Sequence, residues 1–588
     1  MAPVRVIVIG AGWAGLAAAK TYLEIAHRLS RSLELTVLDD SDCPGGVWST
    51  SRLYPGLLAN SPNGFYEFSD FSAVDAEHPR YQLISGQRVQ EYLEAYSKRF
   101  HVWERIRFGV RVVKATRKVP DRSDGWILET SRGETLECDK LVIASGLYSK
   151  PRLPQTPESA YTGTSIHSKY LGCTYQQLIA DPNVRNVVVV GGCKSAIEAI
   201  SVFLSSSTDT HPISISWVIR PSEQGVPIAY VDTDMNLSFV AVNMTRLAQA
   251  FSPSIFSVNS RVARFLHSGA WWLGGLLTAC FWWLVGTISK SGPKYHRSEN
   301  GKKIEPKGNS MFFDAPYISL IPHGSPFLEW LHKDDPDLLK VYRARPVRLE
   351  QRTMVISEDD QEVTLKADAV IWCTGWQPSN DYFESEEAKQ LGLPTPIPST
   401  SPTTADKNYE NLLRDSETKV QTLLPGLRVS ARPGPPPAYT PYRFYRLVLS
   451  PERIARNDRS IAFVGFVANA QTALTSELLA LWAVAYLEDL LGASALPSEV
   501  DMVADVALST AWMKRRYGYR GVQEPHIAFE VQSFLDLLCR DLGVQAERKK
   551  RSGGWTKGLR EWVGPYTPKD FEGVIGEFLE AREKALKG

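Results

Sequence analysis

The sequence lacks the short motifs that mark metal, disulfide and hydrolase chemistry. No C-x-x-C, H-E-x-x-H or G-x-S-x-G segment occurs, which argues against a zinc site, a metalloprotease helix and an α/β-hydrolase nucleophile. The cysteines are odd in number and widely spaced, so we expect reduced thiols in an intracellular, cytoplasmic protein. These seven residues are Cys43, Cys138, Cys173, Cys193, Cys280, Cys373 and Cys539.

Net charge is also nearly absent. The 66 Lys and Arg residues balance 65 Asp and Glu residues, so the basic surplus that nucleic-acid binding requires is missing. A hydrophobic content of 43% is typical of a globular protein, and 588 residues are too many for one core, which predicts two or three domains. A strand pattern begins by Val4, which leaves no room for a signal or transit peptide before it.

The N-terminal segment VRVIVIGAGWAGLAAAK predicts a dinucleotide-binding turn. A buried-strand run, Val6–Ile9, leads into Gly10, Gly12 and Gly15, which fill G-x-G-x-x-G, and an Ala-rich helix follows. The first glycine permits a tight bend, the second lets the backbone approach a pyrophosphate, and the third lets the helix pack on the strand. The next strand ends at Asp39, 24 residues after Gly15, where a carboxylate accepts from a ribose hydroxyl.

The segment VVVVGGCKSAIEAI repeats this layout. The strand Val187–Val190 precedes Gly191, Gly192, Cys193, Lys194, Ser195 and Ala196, and the next strand ends at Arg220, again 24 residues on. A carboxylate suits a free 2′-hydroxyl and a guanidinium suits a 2′-phosphate, so the first unit predicts FAD and the second NADPH. The alternative is a plain strand–turn–helix with a solvated Arg220.

Six further segments occur in an order that resembles the flavin-containing monooxygenase family, which is related to Baeyer–Villiger monooxygenases. They are CPGGVW (43–48), YPGLLANSPNGFYEFSDF (54–71), LVIASGLYSKPRLP (141–154), YTGTSIHSKY (161–170), VIWCTGWQP (370–378) and IAFVGF (461–466). The resemblance covers most of residues 1–225 and 365–490.

The resemblance implies two sets of cofactor-binding residues. Those implied for FAD are Gly10, Ala11, Gly12, Trp13, Ala14, Gly15, Asp39, Gly46, Val47, Trp48, Asn60, Ser61, Val112, Ser145 and Gly146. Those implied for NADPH are Gly191, Gly192, Cys193, Lys194, Ser195, Ala196 and Arg220.

Asn60 is the one catalytic candidate, because the resemblance places it between flavin and nicotinamide. The alternative is a turn asparagine that caps its own backbone. His167 is expected to orient the interdomain linker without transferring protons. Cys193 stands where the NADPH turn normally has its second glycine, so we expect weaker cofactor binding, with Cys193 as a small tolerated side chain.

The activity implied by the resemblance is an NADPH- and O2-dependent monooxygenation. A C4a-(hydro)peroxyflavin would pass one oxygen atom to a nitrogen or sulfur of a small-molecule substrate. Tyr170 is followed by Leu171, whereas Baeyer–Villiger members usually have tryptophan followed by proline or aspartate, which favours heteroatom oxygenation. Alternatives are Baeyer–Villiger or carbon oxygenation, an NADPH-linked flavin oxidoreductase without oxygen transfer, and a non-catalytic flavin-binding protein.

These patterns together predict an α/β fold with two Rossmann-like dinucleotide-binding domains and a C-terminal helical region. The segments are residues 1–160 and 368–495 for a split FAD domain, 161–367 for an inserted NADPH domain with an insertion at about 225–345, and 496–588 for a helical extension.

Within the insertion, residues 265–289 carry no acidic or basic side chain apart from His267. A full membrane crossing would separate the two halves of the flavin domain. The open interpretations are therefore a buried or lid helix, a peripheral membrane contact and a homo-oligomer interface. Cationic residues flank the stretch at Arg261, Arg264, Lys290 and Lys294.

Overall fold

The computed structural model describes most of the chain, and all structural statements below concern the described residues. These are 2–75, 77–119, 124–158, 160–221, 225–231, 239–306, 310–314, 317–322, 324–397, 404–429, 437–492, 496–551 and 557–587.

The strands are β1 Val4–Ile9, β2 Leu33–Leu38, β3 Leu58–Pro62, β4 Leu83–Ser85, β5 Ile106–Arg107, β6 Val112–Arg117, β7 Trp126–Thr130, β8 Thr135–Cys138, β9 Lys140–Ile143, β10 Lys150–Pro151, β11 Ala160–Tyr161, β12 Thr164–His167, β13 Asn186–Val190, β14 Ser214–Ile219, β15 Ile228–Val231, β16 Ser319–Pro322, β17 Leu339–Arg343, β18 Arg345–Gln351, β19 Thr353–Glu358, β20 Gln361–Lys366, β21 Ala369–Trp372, β22 Trp376–Gln377 and β23 Ile461–Phe463.

The helices are α1 Trp13–Arg28, α2 Gly86–Arg99, α3 Leu171–Ala180, α4 Lys194–Ser205, α5 Phe239–Asn243, α6 Arg246–Ala250, α7 Arg261–His267, α8 Trp272–Ser291, α9 Glu299–Ile304, α10 Ser310–Asp314, α11 Phe327–His332, α12 Ser385–Gln390, α13 Thr404–Leu423, α14 Pro451–Ala455, α15 Thr472–Leu487, α16 Glu499–Tyr517, α17 Tyr519–Gln523, α18 Val531–Asp541, α19 Lys557–Val563 and α20 Val574–Lys587.

Two five-stranded parallel sheets form the framework, and the predicted fold class is confirmed. The first sheet has the order β23-β9-β1-β2-β5, so the late strand β23 closes a sheet built from the first part of the chain. The second has the order β12-β21-β13-β14-β17. Their apolar, β-branched strands are almost continuously buried, as expected for parallel strands covered on both faces.

Helices cover both sheets, and the C-terminal helices extend the core of the first. α15 packs on α1 and is buried over its whole length. Residues of α16, α18 and α20 belong to the same hydrophobic cluster as β1 and β9, including Trp512, Leu538 and Phe578. The C-terminal helical region is therefore an integral part of the first core.

The apolar stretch 265–289 is not a buried helix, so that part of the expectation is wrong, whereas the lid helix stays a prediction. The stretch forms the end of α7 and most of α8, and in α8 only Gly274, Trp282 and Gly286 are buried. The segment Trp272–Arg297 is long and apolar enough to cross a membrane by length and composition alone, and only 22% of its most apolar window is buried.

Candidate functional site

The first glycine turn joins β1 to α1 at the carboxyl edge of the first sheet. Gly10 has φ +109°, and a Cβ there would lie 2.5 Å from the Ala144 carbonyl oxygen. A Cβ on Gly15 would lie 1.7 Å from the Gly10 carbonyl oxygen. Both positions therefore require glycine for steric reasons within the protein.

Gly12 has a different role, because the protein itself leaves space beside it. A Cβ at Gly12 would meet nothing closer than Gly46 Cα at 3.6 Å. Gly12 is also the N-cap of α1 and has no side chain to satisfy the first-turn N–H groups. An open, uncapped helix N-terminus is a suitable cradle for a pyrophosphate, so the turn fits the flavin dinucleotide.

The other segments implied for FAD converge on this turn. Gly45 N donates to the Ala11 carbonyl at 3.0 Å and brings Gly46, Val47 and Trp48 beside the turn. Ala144 N donates to the Ile9 carbonyl at 2.8 Å, which places Ser145 and Gly146 next to Gly10. Segments far apart in sequence thus meet at one edge of the sheet.

Asp39, at the end of β2, braces the turn in the structure. Its buried carboxylate accepts from Ala11 N at 2.6 Å and from Ser41 N at 2.8 Å. Burial raises the pKa of this carboxyl, although the two backbone hydrogen bonds oppose the shift. Val110 N donates to the Asp39 carbonyl at 2.9 Å, and the buried Val112 follows at the start of β6.

The second turn repeats the first position by position. Gly191 has φ +138°, and a Cβ there would lie 2.2 Å from the Cys373 carbonyl oxygen, as at Gly10 against Ala144. Cys193 is the N-cap of α4, as Gly12 is of α1, in an extended conformation that any residue adopts. The buried Ala196 occupies the position of Gly15. The two turns therefore differ at Cys193, because its Cβ limits how closely a ligand can approach the N-terminus of α4.

Lys194, which the sequence assigns to NADPH, contacts the catalytic candidate. Its Nζ donates to Asn60 Oδ1 at 2.6 Å and to the Leu58 carbonyl at 2.7 Å. Glu198, one turn further along α4, lies 3.5 Å from the same ammonium and accepts from the Tyr54 hydroxyl at 3.0 Å. The first turn of α4 is thus hydrogen-bonded to β3, which carries Asn60.

Glu198 is a buried carboxylate within this bridge. Burial raises its pKa, and Lys194 together with the Tyr54 hydroxyl lowers it in part. The ammonium therefore has a partner on each side, with Glu198 on its own helix and Asn60 on the opposite domain.

Arg220 lies at the end of β14, exposed, beside a second arginine that sequence reasoning missed. Arg343 ends β17 and pairs in register with Ile219. Burial lowers the pKa of the Arg343 guanidinium, and the positive charge of Arg220 lowers it further. Two guanidinium groups at one strand edge attract an anion. The signal for Arg343 was not readable, because 123 residues separate the two positions in the chain.

His167 contacts the segment VIWCTGWQP (370–378), and its orienting role stays a prediction. Its Nε2 lies 3.0 Å from the Gly375 carbonyl, and its Nδ1 accepts from Lys169 N at 3.1 Å. Burial lowers its pKa to about 4, so the ring is neutral at physiological pH. The ring packs edge-on against Trp376 at 5.0 Å between centroids.

The C-terminal helices also contribute a residue to this region, which the sequence did not indicate. Arg520 of α17 forms an ion pair with Glu524 and stacks over Tyr317 at 5.3 Å. Burial disfavours its charge, but Glu524, Tyr148 and Cys193 nearby raise its pKa overall. Arg520 therefore places a cation of the C-terminal helices beside Tyr148, in the segment LVIASGLYSKPRLP (141–154), and near the second glycine turn.

Comparisons with known proteins agree with the two-turn geometry. The family model for the pyridine nucleotide-disulphide oxidoreductase domain matches residues 4–220, which contain both glycine turns. The fold and the comparisons thus define a flavoprotein oxidoreductase with two glycine turns. The FAD-dependent monooxygenase DEP4 of Fusarium langsethiae is 32% identical over 98% of this chain and 95% of its own length. The FAD-dependent monooxygenase resA of Aspergillus sclerotiorum is 31% identical over 98% of both chains.

The chain belongs to the family of FAD-dependent monooxygenases. Solved structures of low identity share its fold. Cyclohexanone monooxygenase from Rhodococcus sp. Phi1 bound to NADP+ has a TM-score of 0.54 and 17% identity, over 92% of this chain and 97% of that chain. S-allyl-L-cysteine S-oxygenase from Allium sativum has a TM-score of 0.51 and 15% identity, over 100% of this chain and 99% of that chain.

Proposed function

We propose that this FAD-dependent monooxygenase uses NADPH and O2 to transfer one oxygen atom to a nitrogen or sulfur of a small molecule. The observation that carries the proposal is the Lys194–Asn60 hydrogen bond of 2.6 Å. It joins the second glycine turn to the residue that the resemblance implies for contact with flavin and nicotinamide. A side chain in this position would contact both cofactors.

The residues of the first turn would hold FAD. The α1 N-terminus and the space beside Gly12 would hold the pyrophosphate. Asp39, which already accepts from Ala11 N and Ser41 N, would also accept from a ribose hydroxyl. When bound, FAD supplies the redox chemistry and the activation of O2. The protein contributes binding, orientation and exclusion of water.

NADPH is proposed for the second turn on the basis of charge. Arg220 and Arg343 present two guanidinium groups at the strand edge where a 2′-phosphate would lie, whereas the first unit ends in a carboxylate. Cys193 narrows the approach at the α4 N-terminus. We therefore expect NADPH binding that is selective over NADH but weaker than a glycine at this position would give.

Asn60 is proposed to donate from its Nδ2. Because Oδ1 accepts from Lys194, the amide orientation is fixed with its two N–H groups directed away from the ammonium. Preorganised donors of this kind stabilise a developing negative charge in a site from which water is excluded. Asn60 is exposed in the protein chain alone, as a residue that meets a cofactor must be.

The choice of nitrogen or sulfur over Baeyer–Villiger oxygenation rests on Tyr170 and Leu171. These two residues stand where Baeyer–Villiger members usually have tryptophan followed by proline or aspartate. Tyr170 is exposed, and Leu171 is fully buried at the start of α3. Ketone oxygenation is the second candidate, since the shared fold includes a cyclohexanone monooxygenase.

Spectroscopy of the purified protein tests the proposal. A bound flavin that is bleached by NADPH but not by NADH, followed by oxygenated products from amines or sulfides, is the expected result. The Asn60→Ala variant should divert NADPH consumption into hydrogen peroxide, whereas the exposed Asn411→Ala control should not. Products from ketones alone would favour ketone oxygenation as the function. A flavin that NADPH does not bleach would show that NADPH is not the reductant.

A further inference from the structure

Helix α8 presents a broad apolar face that the described residues do not cover. Trp272 is 79% exposed, Trp283 is 64% exposed and Ile288 is 61% exposed. The large apolar side chains exposed on α8 and the residue before it are Trp271, Trp272, Leu273, Leu276, Leu277, Trp283, Leu284 and Ile288. A contiguous apolar surface of this kind marks an interaction site.

A narrow opposite face fixes α8 to the protein. A Cβ on Gly274 would lie 1.9 Å from the Phe265 carbonyl oxygen, so α7 and α8 meet at van der Waals distance. Trp282 is buried, and its Nε1 donates to the Phe251 carbonyl at 2.9 Å. The same ring meets Phe312 edge-on at 5.1 Å. The helix is therefore rigidly seated, and its exposed face does not result from detachment.

Both ends of α8 are anchored in the same folded body, which excludes a membrane crossing. Before the helix, His267 is buried and its Nε2 lies 2.8 Å from the Ala250 carbonyl. After it, the buried Tyr295 hydroxyl donates to the Val226 carbonyl at 2.9 Å and accepts from Ile228 N at 2.9 Å. A helix held in this way lies along the surface.

The sequence segment that contains α8 carries charge of one sign. The sequence contains no Asp or Glu from residue 235 to residue 298, but it contains six Arg and Lys residues there. Arg246 is used in ion pairs with Asp536 and Glu561. Within the part of the chain that the structure describes, four exposed cations show no ion pair. They are Arg261 and Arg264 before the helix, and Lys294 and Arg297 after it.

We propose that the exposed face of α8 docks in the plane of an anionic lipid membrane. Exposed tryptophans, here Trp271 and Trp272 at the start of the helix and Trp283 within it, favour the headgroup region of a membrane. The flanking cations complement anionic headgroups. A second copy of the chain fits less well, because a two-fold interface would bring these cations together and residues 235–298 contain no Asp or Glu to neutralise them. The inference is independent of the reaction proposed above.

Vesicle flotation of the full-length, FAD-loaded protein tests this docking. We expect binding to vesicles with about one-third phosphatidylserine and much less to phosphatidylcholine alone, with a loss at about 0.5 M salt. Leu276→Glu and Trp283→Glu should each reduce the vesicle-bound fraction at least about tenfold, because each places a charge where an apolar side chain would be buried in the membrane. Arg261→Gln and Arg264→Gln should each weaken binding about fivefold.

The matched control is Leu586→Glu, which places the same charge on a leucine that is 75% exposed in α20. It should bind vesicles as the wild type does. Retained flavin absorbance and melting temperature show that each variant is folded. Absence of binding to anionic vesicles overturns the proposal. A dimer in light scattering that Leu276→Glu converts to a monomer also overturns the proposal, because a second copy of the chain then covers the exposed face of α8.

Discussion

Replacing Lys194 by methionine distinguishes two roles for this side chain, a phosphate ligand and an anchor for Asn60. The substitution removes the ammonium and its hydrogen bonds to Asn60 Oδ1 and the Leu58 carbonyl, but it keeps the length of the side chain. Glu198 keeps its hydrogen bond from the Tyr54 hydroxyl. The structure predicts that Asn60 loses its fixed amide orientation.

The size of the effect follows from the hydrogen bonds that the substitution removes. A hydrogen bond from a charged donor contributes about 1.5–3 kcal/mol, and the 21% exposure of the Lys194 side chain lets water recover part of it. We therefore expect the oriented amide to be about 2 kcal/mol less stable in the variant. This corresponds to roughly a 30-fold change in the equilibrium constant for the oriented amide. Lys194→Arg, which retains a cationic donor, should recover part of the loss.

The assay separates orientation from phosphate binding. Product formation, NADPH consumption and peroxide release are measured together, with KM for NADPH and flavin content determined for each variant. The expected result is a kcat for product lower by roughly 10- to 30-fold, a larger peroxide fraction and a KM within about threefold of the wild type. A double-mutant cycle of Lys194→Met and Asn60→Ala should show an interaction free energy of about 1.5–2 kcal/mol.

The opposite pattern would refute this reasoning. If Lys194→Met raises KM for NADPH more than about tenfold while kcat and coupling to product stay unchanged, the ammonium binds phosphate, as the sequence predicted. Additive effects of Lys194→Met and Asn60→Ala would likewise show that the 2.6 Å contact does not matter for catalysis.

Four further predictions concern the turns and the linker. Cys193→Gly should tighten NADPH binding or leave it unchanged, measured by titration of the purified protein. Arg220→Gln should raise KM for NADPH by about tenfold or more with little effect on NADH. Gly15→Ala should lower flavin content and melting temperature, because its Cβ would lie 1.7 Å from a carbonyl oxygen, whereas Gly275→Ala, with no atom within 4 Å, should not. The buried His167 has its pKa lowered from 6.5 to about 4, so the unfolded chain takes up a proton first as the pH falls. The stability that the neutral ring contributes is complete above pH 6.5 and should fall by about 3 kcal/mol towards pH 4, and His167→Gln should make urea unfolding less pH-dependent in this window.

Each of these predictions has a contrary outcome. Weaker NADPH binding in Cys193→Gly would show that the thiol contributes to the site. Equal effects of Arg220→Gln on NADPH and NADH would place the guanidinium away from the 2′-phosphate. A normal flavin content in Gly15→Ala would mean that α1 shifts readily. An unchanged pH dependence in His167→Gln would assign the acid sensitivity to other buried histidines, such as His267, whose pKa is also lowered to about 4 by burial.

The glycine turns could be read from the sequence because their geometry is local. A strand, a residue with positive φ and a helix N-terminus lie within a dozen residues. Gly10 is required by its own φ of +109°, and Gly15 by the Gly10 carbonyl oxygen of the same turn. The equal spacing to Asp39 and Arg220 reflects one strand–helix–strand unit used twice. The fold class follows from this repeat.

Contacts between distant segments were not readable. Lys194 and Asn60 are 134 positions apart, and only the packing of α4 against β3 brings them together. Pairing of β17 with β14 likewise brings Arg343 beside Arg220, and packing of the C-terminal helices brings Arg520 over Tyr317. A single sequence contains no periodicity or spacing that records such contacts.

The two longest apolar segments show most clearly what the tertiary structure decides. α15 and α8 are both apolar around their circumference, a pattern that predicts burial but does not say against what. α15 lies between α1 and α18 and is buried throughout, whereas α8 has protein on one narrow face only. The sequence determined that both segments are helices with no polar face, and the packing around each decided whether protein covers it.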